Sequence, residues 1–191
     1  MRTQTAAAGA GARAEGARSR TVRRTIAVLG FAVLTAVGAR ISVPLPGSPV
    51  PFTFQVVAVL AAGLLLGPRL GAMSQVAYLA AGAAGLPVFA MGGGAAYLLG
   101  PTGGYLLAYP AAALVVGLVA RERGPLLTAV GLVAGSAVIF AGGAAWLAAT
   151  AGVPAALRLG VLPFAGVALL KVLLVFLAGR KVAGPVGGFL D

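Results

Sequence analysis

Residues 159–179 read LGVLPFAGVALLKVLLVFLAG, and in that run from Leu159 to Gly179 only Lys171 is charged. Such a segment is long and apolar enough to cross a bilayer as a helix. Lys171 falls 11 residues after Gly160 and 8 before Gly179. A rise of about 1.5 Å per residue therefore puts it near mid-depth. An ammonium there is costly unless an anion pairs with it or water reaches it. The chain's acids are Glu15, Glu122 and Asp191, all outside the hydrophobic segments. The balancing charge is thus expected to arrive with a bound solute, which makes Lys171 the first candidate for contact with a small anionic ligand. The plainer alternative is a lysine that snorkels along its own stem to the interface, a strained reach from mid-depth.

Working outward, the chain has 191 residues, one domain's worth, with 60% hydrophobic and 9% charged and a mean hydropathy of +1.05. Soluble domains carry about a quarter charged residues, so this is an integral membrane protein. Spanning strands would be short and alternating, whereas these apolar segments are long and rich in Ala, Leu and Gly. Helices are the remaining way to satisfy backbone groups in lipid. The net charge of +11 would suit nucleic acid, but its distribution argues otherwise. Arg2, Arg13, Arg18, Arg20, Arg23 and Arg24 crowd the first 24 residues, and the other basic residues mostly sit in short loops. That is the mark of membrane topology and of attraction to anionic membrane lipid. No nucleic-acid-binding motif is present. There is no cysteine, so disulfides are excluded.

Residues 1–24 lack an apolar period and read as a disordered, Arg-rich cytoplasmic tail. The Arg23-Arg24 pair with Val37-Gly38-Ala39 faintly resembles an export signal. Everything downstream is itself apolar, so an uncleaved first helix is the better reading. Six spans are expected: Thr25–Ala39, Phe52–Leu66, Leu70–Leu86, Gly103–Ala120, Leu126–Ala149 and Gly160–Ala178. Proline and glycine mark the breaks, notably the Pro-rich stretch 44–51, Gly67-Pro68, Gly100-Pro101 and Gly124-Pro125. The membrane domain thus covers 25–183, and 184–191 form a short C-terminal tail.

With the N-terminus inside, the cytoplasmic side holds the six tail arginines plus Arg69, Arg121, Arg123, Arg180 and Lys181. Arg40 and Arg158 lie outside, and Lys171 lies in a span. This asymmetry places both termini in the cytoplasm of a multi-pass cell-membrane protein. Two long irregular stretches, Ile41–Pro51 and Gly85–Thr102, then face outward. Irregular backbone at membrane depth commonly lines a cavity, so an extracellular-facing ligand pocket is expected.

The chemical inventory excludes most catalysis. There is no histidine, no cysteine and no carboxylate in the membrane region to act as base, nucleophile partner or metal ligand. No G-x-x-x-x-G-K-[ST] phosphate loop occurs. The chain is read as a binding protein, not an enzyme, with no cofactor or metal. Beyond Lys171, the segment 92–105 offers Gly93 and Gly94 for close backbone approach, Thr102, and the flat walls of Tyr97 and Tyr105. A flexible outer loop followed by close helix packing is its structural alternative. Thr53 and Gln55 stand at the mouth of the second span. Gln55 can donate and accept, which suits an amide or urea, though helix capping and helix–helix bonding fit the same spacing. On the first span Ala32 and Ala36 present a small-residue face that another helix can approach. Chance or internal packing is the default in so alanine-rich a chain.

Taken together, these segments resemble the BioY family, the biotin-binding S components of energy-coupling factor (ECF) transporters. The resemblance runs from about Phe31 to Gly179. It rests on Ile41-Ser42-Val43-Pro44-Leu45 with Pro49-Val50-Pro51-Phe52-Thr53-Phe54-Gln55, on Leu64–Gly71, on Gly85-Leu86-Pro87-Val88-Phe89, on Gly100-Pro101-Thr102-Gly103-Gly104-Tyr105, and on Pro163-Phe164 followed by Leu169-Leu170-Lys171. It implies a six-helix S component that captures biotin and works with a transmembrane coupling subunit and two ABC ATPases, with Ala32 and Ala36 on the docking face. One departure stands out. The family commonly carries an acid three positions before the lysine, where this chain has Ala168. That keeps open a second small anionic vitamin as ligand, and a non-transport membrane scaffold remains the alternative from another class.

Overall fold

The computed structural model describes residues 2–120 and 124–190, with side chains from residue 16 onward except Arg180. Arg121 and Arg123, both counted above for topology, lie outside the described residues. Helix α1 spans Arg2–Arg40. A two-residue antiparallel ribbon follows, β1 (Ser42–Val43) against β2 (Phe52–Thr53), pairing Ser42 with Thr53 and Val43 with Phe52. Then come α2 (Gln55–Ala83), the short α3 (Ala95–Leu98) and α4 (Gly103–Leu107), α5 (Tyr109–Ala120) and α6 (Pro125–Ala151). The last rod is continuous: α7 (Val153–Ala155), a π-helical stretch (Ala156–Val161) and α8 (Leu162–Leu190).

Among the described residues, five helical segments are long and apolar enough to cross a membrane: Gly16–Arg40, Gln55–Ala83, Gly103–Ala120, Pro125–Ala151 and Val153–Gly179. The sequence expects six, and the difference lies in α2. Gly67 adopts φ 77°, ψ −179°, a region that side chains rarely enter. Pro68 then restarts the helix without needing a backbone donor. The chain doubles back there. Gln55 and Tyr78 are hydrogen-bonded to each other, although a straight helix would hold them roughly 35 Å apart. The second and third expected spans are therefore the two arms of one hairpin.

Both ends of the chain carry helix beyond the expected spans. The arginine-rich segment read as disordered continues α1 as helix from Arg2, as its alanine content favours. The segment 184–191 read as a tail is helical to Leu190 and runs through Pro185. A proline removes one backbone bond from a helix already formed.

Apolar burial drives little helix association inside lipid, so close approach carries it. Gly117 on α5 lies directly against the backbone of Gly67 and Pro68. The buried core divides in two along the bundle. One cluster, around Leu60, Leu64, Val116, Leu132 and Val175, fills the end near the α2 turn. The other, around Tyr78, Phe89, Tyr105, Tyr109, Ile139 and Phe164, fills the end where the irregular stretches gather.

Candidate ligand pocket

The two irregular stretches do meet, at the end of the bundle where α1 stops. The Phe54 amide donates to the Gly38 carbonyl at 3.1 Å, and the Gly94 amide donates to Gly82 at the end of α2 at 2.7 Å. Arg40 donates to the Pro87 carbonyl. Trp146 Nε1 donates to the Gly100 carbonyl at 3.0 Å. Phe89 is fully buried between Tyr78 and Tyr97, with ring centroids 5.5 Å and 5.0 Å away. These contacts pin both stretches over the upper core.

Beneath them lies a cavity of about 70 Å³, and Lys171 is on its wall. The lysine is 9% exposed. Its Nζ sits 4.1 Å from the centre of the Phe52 ring, a cation–π contact supplied by β2. No ion pair reaches it among the described residues, and none of the chain's three acids falls among the described side chains.

Thr53, Gln55, Tyr97, Thr102 and Tyr105 also line the cavity, but their polar tips fall into two groups. Gln55 is engaged on every side. Its Oε1 accepts from Thr53 Oγ1 at 3.1 Å and from Tyr109 at 3.2 Å. Its Nε2 donates to the Tyr78 hydroxyl, which in turn donates to the Val88 carbonyl at 3.3 Å. This network ties β2, both arms of α2, α5 and the 85–94 stretch together. Tyr105 donates to the Gly160 carbonyl at 2.8 Å. The hydroxyls of Tyr97, Thr102 and Ser136 have no hydrogen-bond partner among the described residues, and together with Lys171 they are the polar groups left for a ligand.

Gly93 and Gly94 do not line the cavity. Gly93 packs against the backbone of Gly85 and Leu86, and Gly94, at φ 98°, starts α3. Their permissiveness folds the loop itself. Ala32 and Ala36 are half-buried against the chain's own core, so the small-residue face serves at least in part to seat α1. Several wall residues escaped sequence reasoning: Val50, Pro51, Val56, Tyr109, Ser136 and Phe140. Only Tyr109 carried a usable signal, as one more tyrosine beside the 92–105 segment.

The π-helical stretch matters here. Its wider turn leaves backbone carbonyls without their usual partners. The Leu159 carbonyl accepts from Ser48 Oγ at 2.7 Å, and the Gly160 carbonyl accepts from Tyr105. The Pro-rich stretch and α4 are thereby anchored to the helix that carries Phe164, Ala168 and Lys171 into the cavity.

Fold and site together define a class: a multi-pass, mostly helical membrane protein with a mostly apolar pocket whose wall carries one cation. The chain belongs to the BioY family, which it matches over residues 8–187. It is similar to the probable biotin transporter BioY of Pyrococcus horikoshii, at 48% identity over 135 residues that cover 70% of this chain and 80% of that one. It is also similar to the biotin transporter BioY of Thermotoga maritima, at 48% over 94 residues, 49% of this chain and 54% of the relative. Among solved structures, its fold matches the S-component for biotin from an ECF-type ABC transporter with a TM-score of 0.76 and 26% identity. That match covers 85% of this chain and 91% of the other.

Proposed function

We propose that this protein captures biotin and serves as the substrate-binding subunit of an ECF-type transporter. The observation that carries the reading is Lys171, buried on the pocket wall beside Phe52 with no anion paired to it among the described residues. It is the one cation among the residues that line the cavity, so the ligand's carboxylate is assigned to it. The apolar rings suit the walls of Phe164, Tyr105 and Ile139. The ureido group is assigned to Tyr97, Thr102 and exposed backbone, because the Gln55 amide is already engaged.

The absence of any catalytic or nucleotide-binding motif fits a subunit energised by others, here a transmembrane coupling subunit and two ATPases. The charge asymmetry of the sequence supports both termini in the cytoplasm, with the arginine-rich end on anionic lipid and the pocket opening outward. Calorimetry of the purified protein tests the central point: biotin binds with one site per chain, and heat-silent titration would dismiss the reading.

A second ligand of the same type is kept in view by Ala168, which lines the cavity three residues before Lys171, where the family commonly has an acid. Ala168→Asp places a carboxylate one helical turn from the ammonium. If the biotin carboxylate pairs with Lys171, the new acid competes for that charge, and affinity is expected to fall about tenfold. A rise in affinity would instead turn the ligand end for end, with its ureido group at Lys171. Parallel titrations with desthiobiotin and lipoate separate biotin from other small anionic vitamins.

A further inference from the structure

Two openings share a single wall. The pocket around Lys171 and a groove of about 350 Å³ between α6 and α8 have Ser136, Phe140 and Ala168 in common. The outer side of the groove is framed by small or lipid-facing residues, among them Ala137, Ala165 and Leu169. Ser136 is only 6% exposed, yet its hydroxyl has no partner among the described residues. The other hydroxyls of α6 behave differently: Thr128 and Thr150 return theirs to carbonyls one turn back, at 3.2 Å and 3.1 Å. Ser136 lines both openings, so its hydroxyl is free to meet a ligand at the seam between them.

The cavity, at about 70 Å³, is also small. Ligand pockets commonly run to about 300 Å³ or more, and of the three shared wall residues Ala168 has the smallest side chain, a single methyl. We infer that the pocket continues sideways through a window between Ser136 and Ala168. The apolar arm of the captured anion lies in that window, Ser136 donates to its carboxylate beside Lys171, and Ala168 sets the length of arm the chain accepts. This inference rests on the proposed capture of biotin and adds a specificity-determining position to it.

The test uses biotin and its homologue lengthened by one side-chain methylene, titrated into the purified full chain by calorimetry. Wild type is expected to hold the lengthened homologue within about threefold of biotin, because the window absorbs the extra methylene. Ala165 is exposed and lines the groove but not the cavity, so Ala165→Leu narrows the window from outside without disturbing the core. It is expected to weaken the lengthened homologue at least about tenfold while biotin changes much less, and Ala168→Leu to weaken both. Ser136→Ala is expected to weaken both ligands to the same degree. Melting temperatures report that each variant is folded. Equal effects of Ala165→Leu on the two ligands, or no effect on either, overturn the window. So does a wild type that already rejects the lengthened homologue tenfold. A wild type that does not bind biotin at all removes the functional reading beneath it, a separate outcome.

Discussion

Lys171→Met is expected to lower biotin affinity by at least roughly thirtyfold, near 2 kcal/mol, the lower end of what truncating one member of a buried charge pair costs. The same substitution is expected to raise the melting temperature of the ligand-free protein. Without a bound anion, the ammonium is a desolvated charge attended, among the described residues, by the Phe52 face, and an apolar side chain of similar length removes that penalty. Opposite signs for binding and stability are the signature of a charge kept for a ligand. A lysine with a purely structural role would lose stability on replacement and leave binding alone. Calorimetry and thermal unfolding in detergent read both quantities on one preparation, and unchanged affinity would sink the assignment.

Gly117→Val is expected to be a strongly damaging packing change in the bundle. A Cβ on Gly117 would fall on the backbone of Gly67 and Pro68, not on a side chain that can rotate away. The turn between the arms of α2 would have to shift, and overpacking of this kind costs about 1–3 kcal/mol or more. Gly30→Val on α1 is the control, since nothing lies within 4 Å of its added Cβ. The expected result is a clear fall in melting temperature for Gly117→Val and little change for Gly30→Val. Equal melting for the two would mean that α5 does not cross at the hairpin turn.

Much of the architecture can be read from the chain because lipid removes the alternatives. Apolar length and the Gly-Pro breaks mark the rods, although Gly67-Pro68 alone does not say whether two spans are joined or one helix is bent. The Gln55–Tyr78 bond decides that. Lys171 is legible for the same reason: a charge in a run of Leu, Val and Ala has no local explanation. Ser136, Ile139 and Phe140 are not legible, because a membrane helix that is apolar all round shows no contrast between its inner and outer faces. Gln55 and Thr53 were correctly placed at the cavity, but spacing cannot show that their polar atoms are already bonded to one another and to Tyr78 and Tyr109. Gly93 and Gly94 lie off the cavity wall, and a glycine that folds a loop and a glycine that admits a ligand look alike in sequence.

The widened turn at Ala156–Val161 sets the azimuth of everything after it. An α-helix advances about 100° per residue. The i→i+5 winding of this stretch advances roughly 15° less per residue, so winding the same residues as ordinary α-helix, with none removed, would rotate α8 by roughly a quarter circle and swing Lys171 from the chamber toward the acyl chains. The orientation of the binding cation is in this sense written upstream of it, in a short irregularity clasped by Ser48 and Tyr105.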